Sequence, residues 1–99
     1  MDGGRAASVI AQPSPAAIAA QTTQRIAAAS SGTSYVPYGT RCRRADHGYA
    51  CTTFVIDYGG HPMTFHCWAF HADAKANISE ARDFTKMASC PNHLPRPAA

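Results

Sequence analysis

The sequence has a single leucine, Leu94, and no two cysteines with CxxC spacing. Its 99 residues are 45% hydrophobic, but alanine supplies much of that share. A buried alanine methyl stabilises a fold far less than the roughly 1.5–3 kcal/mol of a buried Leu or Phe side chain. A chain of this length also buries only about 60–65% of its unfolded surface. We therefore expect one small domain whose core needs additional stabilisation.

Long apolar runs are also missing. No stretch of about 18 apolar residues is present, so the sequence predicts no membrane-spanning helix. The first residues, MDGGR, lack the basic region and apolar segment of a secretory signal. The net charge of +3 is too small to indicate a nucleic-acid-binding protein by itself. We expect a secreted protein whose signal peptide has been removed; a cytosolic protein with reduced cysteines is the alternative.

The N-terminal third is rich in alanine, glycine, serine and glutamine. We interpret residues 1–13 as a flexible leader, because they offer little to bury. Residues 14–32 carry signals of a helix, since Ser14 can cap, Pro15 suits the first helical position and Gly32 follows the end. The alanines between them favour helix. The segment is predicted to be an Ala-rich helix, with a low-complexity linker as the alternative.

Residues 35–90 are the predicted folded domain, followed by an irregular tail at 91–99. Aromatic and β-branched residues, interrupted by glycines, indicate strands in its first part. A two-residue turn at Gly59-Gly60 would place Phe54 opposite Phe65. One sheet face is then apolar and is the predicted core: Phe54, Ile56, Tyr58, Met63, Phe65, Cys67 and Ala69. The opposite face is mixed: Cys51, Thr53, Val55, Asp57, Thr64, His66 and Trp68.

Residues 73–89 have the spacing of a second helix. Asn77 and Glu80 resemble a capping box, and apolar residues recur at helical spacing from Ile78 to Ala88. The predicted fold is therefore α+β with the order α-β-β-β-α. A three-stranded antiparallel meander packs on the C-terminal helix, and the Ala-rich N-terminal helix covers an edge or the same face.

Wide spacing of four cysteines in a short chain indicates two disulfides. A two-residue turn at Asp46-His47 places Cys42 opposite Cys51, and opposed Cβ atoms lie close enough to bridge. Cys67 would face the C-terminal helix and Cys90 would end it. We therefore favour Cys42–Cys51 and Cys67–Cys90 among the three possible connectivities, and no cofactor.

Zinc is the alternative to disulfides, since Cys67, Cys90 and His93 include a ligand-like Cys-x-x-His fragment. Tetrahedral sites usually present a tight ligand pair on each of two elements, and only one such pair exists here. Such a chain would be a zinc-stabilised intracellular or phage-encoded adaptor or inhibitor.

His66 is the one weak catalytic candidate, because it lies mid-strand near Asp57 and a basic strand. Secreted guanyl-type ribonucleases resemble the chain in architecture, with a helix, an antiparallel sheet and two disulfides. That resemblance implies a secreted ribonuclease-like enzyme as a second alternative. The absence of a second sheet histidine with a partnering glutamate favours a protein without catalytic activity.

Cations and aromatic residues are mixed along the predicted sheet, a composition that suits a protein interface and, less strongly, a nucleic-acid surface. The predicted binding residues are Arg41, Arg43, Arg44, Tyr49 and Trp68. Trp68 is open to two interpretations. It marks a contact surface if its face is exposed, and it belongs to the core if the N-terminal helix covers that face.

Cys42, Cys51, Cys67 and Cys90 in so short a chain make it similar to small secreted cysteine-containing proteins of the fungal effector type. The similarity covers about residues 35–90. It implies a disulfide-stabilised, virulence-associated protein that acts by binding another protein without catalysis. No membrane association is expected, and the sequence does not define an oligomeric state.

Overall fold

A computed structural model of the chain describes residues 12–84. These residues form one helix and four strands, which build a single antiparallel meander in the order β1-β2-β3-β4. The elements are α1 (Pro15–Ala29), β1 (Tyr35–Ala45), β2 (Gly48–Asp57), β3 (Thr64–Ala72) and β4 (Ile78–Phe84). The predicted leader and tail lie almost entirely outside the described residues.

The helix α1 begins and ends where its local sequence indicates. The Ser14 hydroxyl accepts a hydrogen bond from the Ala17 N–H at 3.1 Å, which satisfies one of the unpaired donors of the first turn. Ile18, Thr22 and Ile26 recur every four residues and are its buried residues, so they form one stripe along the helix. The predicted Ala-rich helix is therefore present within residues 14–32.

The helix packs on the sheet face that was predicted to be mixed. We call this the helix-side face; its core cluster contains Ile18, Ile26, Tyr49, Cys51, Phe70, Ala72 and Ala76. Thr53 is fully buried there. Its hydroxyl donates a hydrogen bond to the Gly39 carbonyl at 2.9 Å and accepts one from the Thr40 hydroxyl at 2.8 Å. Because such hydroxyls keep their hydrogen bonds, the free-energy cost of burying a mixed face is small.

The opposite face, which we call the helix-free face, carries a smaller cluster. Phe54, Ile56 and Cys67 are buried in it and Phe65 packs against them. The rings of Phe54 and Phe65 stack with centroids 5.9 Å apart. The prediction that this face is the core was therefore incomplete, since most buried residues of the described chain lie on the other side.

The predicted C-terminal helix is wrong over residues 73–84, and so is the three-stranded sheet, because Ile78–Phe84 is a fourth strand. A bulge interrupts its pairing with β3 between Ala69 and His71. The extra residue shifts the alternation of faces. Ile78 pairs with Ala72 and Phe84 pairs with Cys67, and these two β3 residues belong to opposite faces of the sheet. The resulting spacing of apolar residues imitates a helical stripe; residues 85–89 lie outside the described region.

The first hairpin has the predicted register, and the second does not. In the first, Ala45 pairs with Gly48 across a two-residue turn. Gly48 has φ of 132°, and a Cβ there would lie 2.4 Å from the Ala72 carbonyl oxygen, so glycine is required.

In the second hairpin, Phe54 pairs with Cys67 and not with Phe65, because the loop spans residues 58–63. Asp57 stabilises the start of this loop by accepting hydrogen bonds from the Ser34 hydroxyl and the Gly59 N–H. These bonds lower the pKa of the Asp57 carboxyl below its usual value. The register error is two residues, so it leaves every side chain on its predicted face.

Candidate functional site

The structure contains a disulfide between Cys42 and Cys51, as the hairpin register predicted. The two residues pair directly across β1 and β2, with Cα atoms 4.1 Å apart. None of the cysteines in residues 12–84 is a free thiol. Cys67 is fully buried on the helix-free face. Cys90 lies outside the described residues, so the Cys67–Cys90 bridge stays a prediction.

The predicted binding residues do not form one surface. Arg41 and Arg43 pair with Thr52 and Ala50, which lie on the helix-free face. Arg44 is on the helix-side face, with its guanidinium carbon 5.7 Å from the centroid of the Tyr49 ring.

Tyr49 itself is only 1% exposed, and its hydroxyl donates to the Pro13 carbonyl. It belongs to the core and is not available to a partner. Only Arg41 and Arg43, among the predicted arginines, therefore share a surface.

A cationic groove crosses one end of the helix-free face. It has a volume of about 710 Å³ and is lined by residues of all four strands. Thr52 and Ala69 form a floor of small residues, with Arg41 paired to the first and Arg82 paired to the second. Arg43, two residues after Arg41 on β1, lines the same groove. We call this surface the cationic groove.

A histidine and a glutamate complete the lining of the cationic groove. His71 Nε2 lies 3.7 Å from a carboxylate oxygen of Glu80, and both side chains are more than half exposed. Glu80 sits in the β4 bulge with a positive φ of 54°, a conformation that L-residues other than glycine adopt infrequently. The bulge is thus what brings this carboxylate beside His71. Sequence reasoning missed Arg82, His71 and Glu80, because β4 was interpreted as a helix.

The other end of the helix-free face carries an apolar patch. Within residues 12–84, the exposed large hydrophobic side chains are Val36, Tyr38, Tyr58 and Met63, each 40–47% exposed. Val36 pairs with Ile56, and Tyr58 and Met63 flank the loop between β2 and β3. The hydroxyls of Tyr38 and Tyr58 are hydrogen-bonded to each other, and this bond raises the pKa of Tyr58 above its usual value. We call these four residues the apolar patch.

Trp68 is half-buried and packs against the helix-side core cluster. Its ring centroid lies 5.5 Å from that of Tyr35. This packing favours the interpretation of Trp68 as part of the core, and its role in binding a partner stays a prediction. A single tryptophan in this position reports on packing of the helix-side face.

His66 lies near Asp57, as predicted, since it contributes to lowering the pKa of that carboxyl, but its hydrogen-bond partners are other residues. Its Nδ1 lies 3.3 Å from Asp83 and its Nε2 lies 3.1 Å from the Thr64 hydroxyl. The imidazole also packs edge-on against Tyr35, and its side chain is 12% exposed. Both ring nitrogens are thus engaged, an arrangement typical of a structural histidine. The acid within hydrogen-bond distance is Asp83, on the strand that the sequence did not predict.

Within residues 12–84, no group of three or more His, Cys, Asp or Glu side chains is arranged to hold a metal ion. The alternative zinc site depends on Cys90 and His93, which lie outside the described residues, so it stays untested. No helix in the described part of the chain is long and apolar enough to cross a membrane.

In comparisons with protein-family models, curated proteins and solved structures, nothing matches this chain. The candidate functional residues are therefore those that its own geometry brings together. They lie on the helix-free face, as an apolar patch at one end and a cationic groove at the other.

Proposed function

We propose that this protein is a small, secreted, disulfide-stabilised binding protein of the effector type. It acts by contacting a partner protein through the apolar patch. The observation that carries this proposal is that Val36 and Tyr38 at the start of β1 and Tyr58 and Met63 in the loop between β2 and β3 are all exposed, with Tyr38 and Tyr58 hydrogen-bonded to each other. Clustered exposed apolar side chains mark interaction surfaces, whereas single ones are ordinary.

The chemistry of the apolar patch suits a protein partner. Tyrosine and methionine are enriched at protein interfaces, and tyrosine supplies a large contact area with few rotatable bonds. The hydrogen bond between Tyr38 and Tyr58 holds two rings in place before binding. A pre-ordered surface loses less conformational entropy when the partner arrives.

The patch also rests on a firm support. Ile56 is 5% exposed and lies directly between Val36 of β1 and Phe65 of β3. The Cys42–Cys51 disulfide fixes β1 to β2 further along the same pair of strands. The patch is thus presented by the sheet and its adjoining loop, which favours binding with little rearrangement.

The test compares the wild-type chain with the double variant Tyr58→Ser/Met63→Ser. Proteins retained by the immobilised chain are identified, and the affinity of a purified retained protein is then measured. Gln24→Ser, on the exposed surface of α1, is the control. Central apolar contacts contribute more than about 1 kcal/mol each, so the double variant should weaken binding at least about tenfold. The proposal would be contradicted if Tyr58→Ser/Met63→Ser bound the partner as tightly as Gln24→Ser, or if the immobilised chain retained no protein.

A further inference from the structure

The charged side chains of the cationic groove have no part in the proposed binding at the apolar patch. Three arginines and one glutamate line it. Within residues 12–84, the guanidinium groups of Arg41 and Arg43 form no hydrogen bond or ion pair. Glu80 is the one acidic residue in the lining of the groove, so it offsets one of these charges at most. The groove therefore presents a surplus of positive charge to solvent.

The shape of the groove fits a chain of negative charges better than a single small anion. Arg41 and Arg82 stand on opposite edge strands, so their Cα atoms are about 14 Å apart, with small side chains between them. Arg43 lies about 7 Å from Arg41 along the same strand. Cations at separated positions, as Arg41 and Arg43 are, bind several anionic groups of one ligand.

An exposed aromatic residue precedes these cations along the same strand. Tyr38 is exposed on β1, three residues before Arg41, and bonds to Tyr58. Single-stranded nucleic acid is bound by this combination, in which arginines follow the phosphates and aromatic side chains stack on the bases. A guanidinium also matches the two oxygens of a phosphate with two parallel hydrogen bonds.

We propose that the cationic groove binds single-stranded nucleic acid, with Arg41 and Arg43 on successive phosphates and Tyr38 under a base. This goes beyond the proposed protein-binding function. It also fails separately from it, because Arg41→Gln/Arg43→Gln removes two groove arginines and leaves all four residues of the apolar patch unchanged.

The test measures fluorescence anisotropy of a labelled ten-nucleotide oligouridylate with the full chain at several salt concentrations. Arg41→Gln/Arg43→Gln should weaken binding at least tenfold at low salt. It should also reduce the slope of log K against log salt by about 1.4, since each lost phosphate contact on a single strand accounts for about 0.7.

Arg44→Gln is the matched control, because Arg44 is adjacent in sequence and loses the same charge but faces the helix side. It should bind within twofold of wild type, and thermal unfolding confirms that each variant is folded. Three results overturn the proposal: no binding at low salt, an equal loss in Arg44→Gln, or equal competition by an oligoglutamate of the same charge. The last result would make the groove a site for an acidic protein segment.

Discussion

Removing the Cys42–Cys51 disulfide, by Cys42→Ala/Cys51→Ala, should destabilise the fold strongly. The bridge spans a sequence separation of 9. Closing a loop of this length restricts the unfolded chain by about 2.5–3 kcal/mol in the chain-entropy model. Folded domains are typically stable by only about 5–15 kcal/mol, so this loss is a large fraction of the total. A domain of this size should melt roughly 10–20 °C lower.

Urea unfolding followed by the fluorescence of Trp68 measures this change, because Trp68 is the sole tryptophan and packs against the helix-side cluster. Thr52→Ala, one residue from Cys51 on β2, is the control and should change stability by no more than about 0.5 kcal/mol. If the free energy of unfolding of the double variant is within about 1 kcal/mol of the wild-type value, the argument that the small core depends on this bridge is refuted.

Three further outcomes are expected. Thr53→Val should cost about 1–3 kcal/mol in urea unfolding, because the Gly39 carbonyl loses its buried donor; an unchanged midpoint would contradict this. Asp57 has a lowered pKa in the folded state, so its stabilisation is complete above its unfolded pKa of about 3.9 and is lost as pH falls through the folded value. Asp57→Asn should therefore melt below wild type at pH 7, and the difference should shrink as the pH is lowered below the unfolded pKa, whereas a pH-independent difference would refute the linkage. Peptide mapping without reductant should recover Cys67 joined to Cys90, and a free thiol at either position would exclude that bridge.

Features set by local chemistry were predictable from the sequence. The helix α1 follows from Ser14 and Pro15, whose capping and backbone preferences act within one turn. The pairing of Cys42 with Cys51 follows from a two-residue turn, because so short a loop leaves no freedom of register. Both predictions required nothing from the rest of the chain.

Features that depend on distant pairing were not predictable. The bulge at Glu80 breaks the alternation that identifies a strand, so β4 resembled a helix. The cationic groove was missed for the same reason, since Arg82 reaches it only through pairing with β3. In the second hairpin, Gly59-Gly60 favoured a tight turn, but the loop takes six residues. The larger core cluster lies on the face of the sheet against which α1 packs, and the sequence pattern of the strands alone did not indicate which face that is.

The order of strands in the sheet bears on how the correct cysteines find each other. Every strand pairs with the one that follows it along the chain, so each contact can form as soon as its second strand has been synthesised. Cys42 and Cys51 meet within the first hairpin, which closes on a microsecond scale, before Cys67 and Cys90 have to be present. If Cys42 and Cys51 oxidise first, Cys67 and Cys90 have only each other as partners, so one of the three connectivities that four cysteines allow remains.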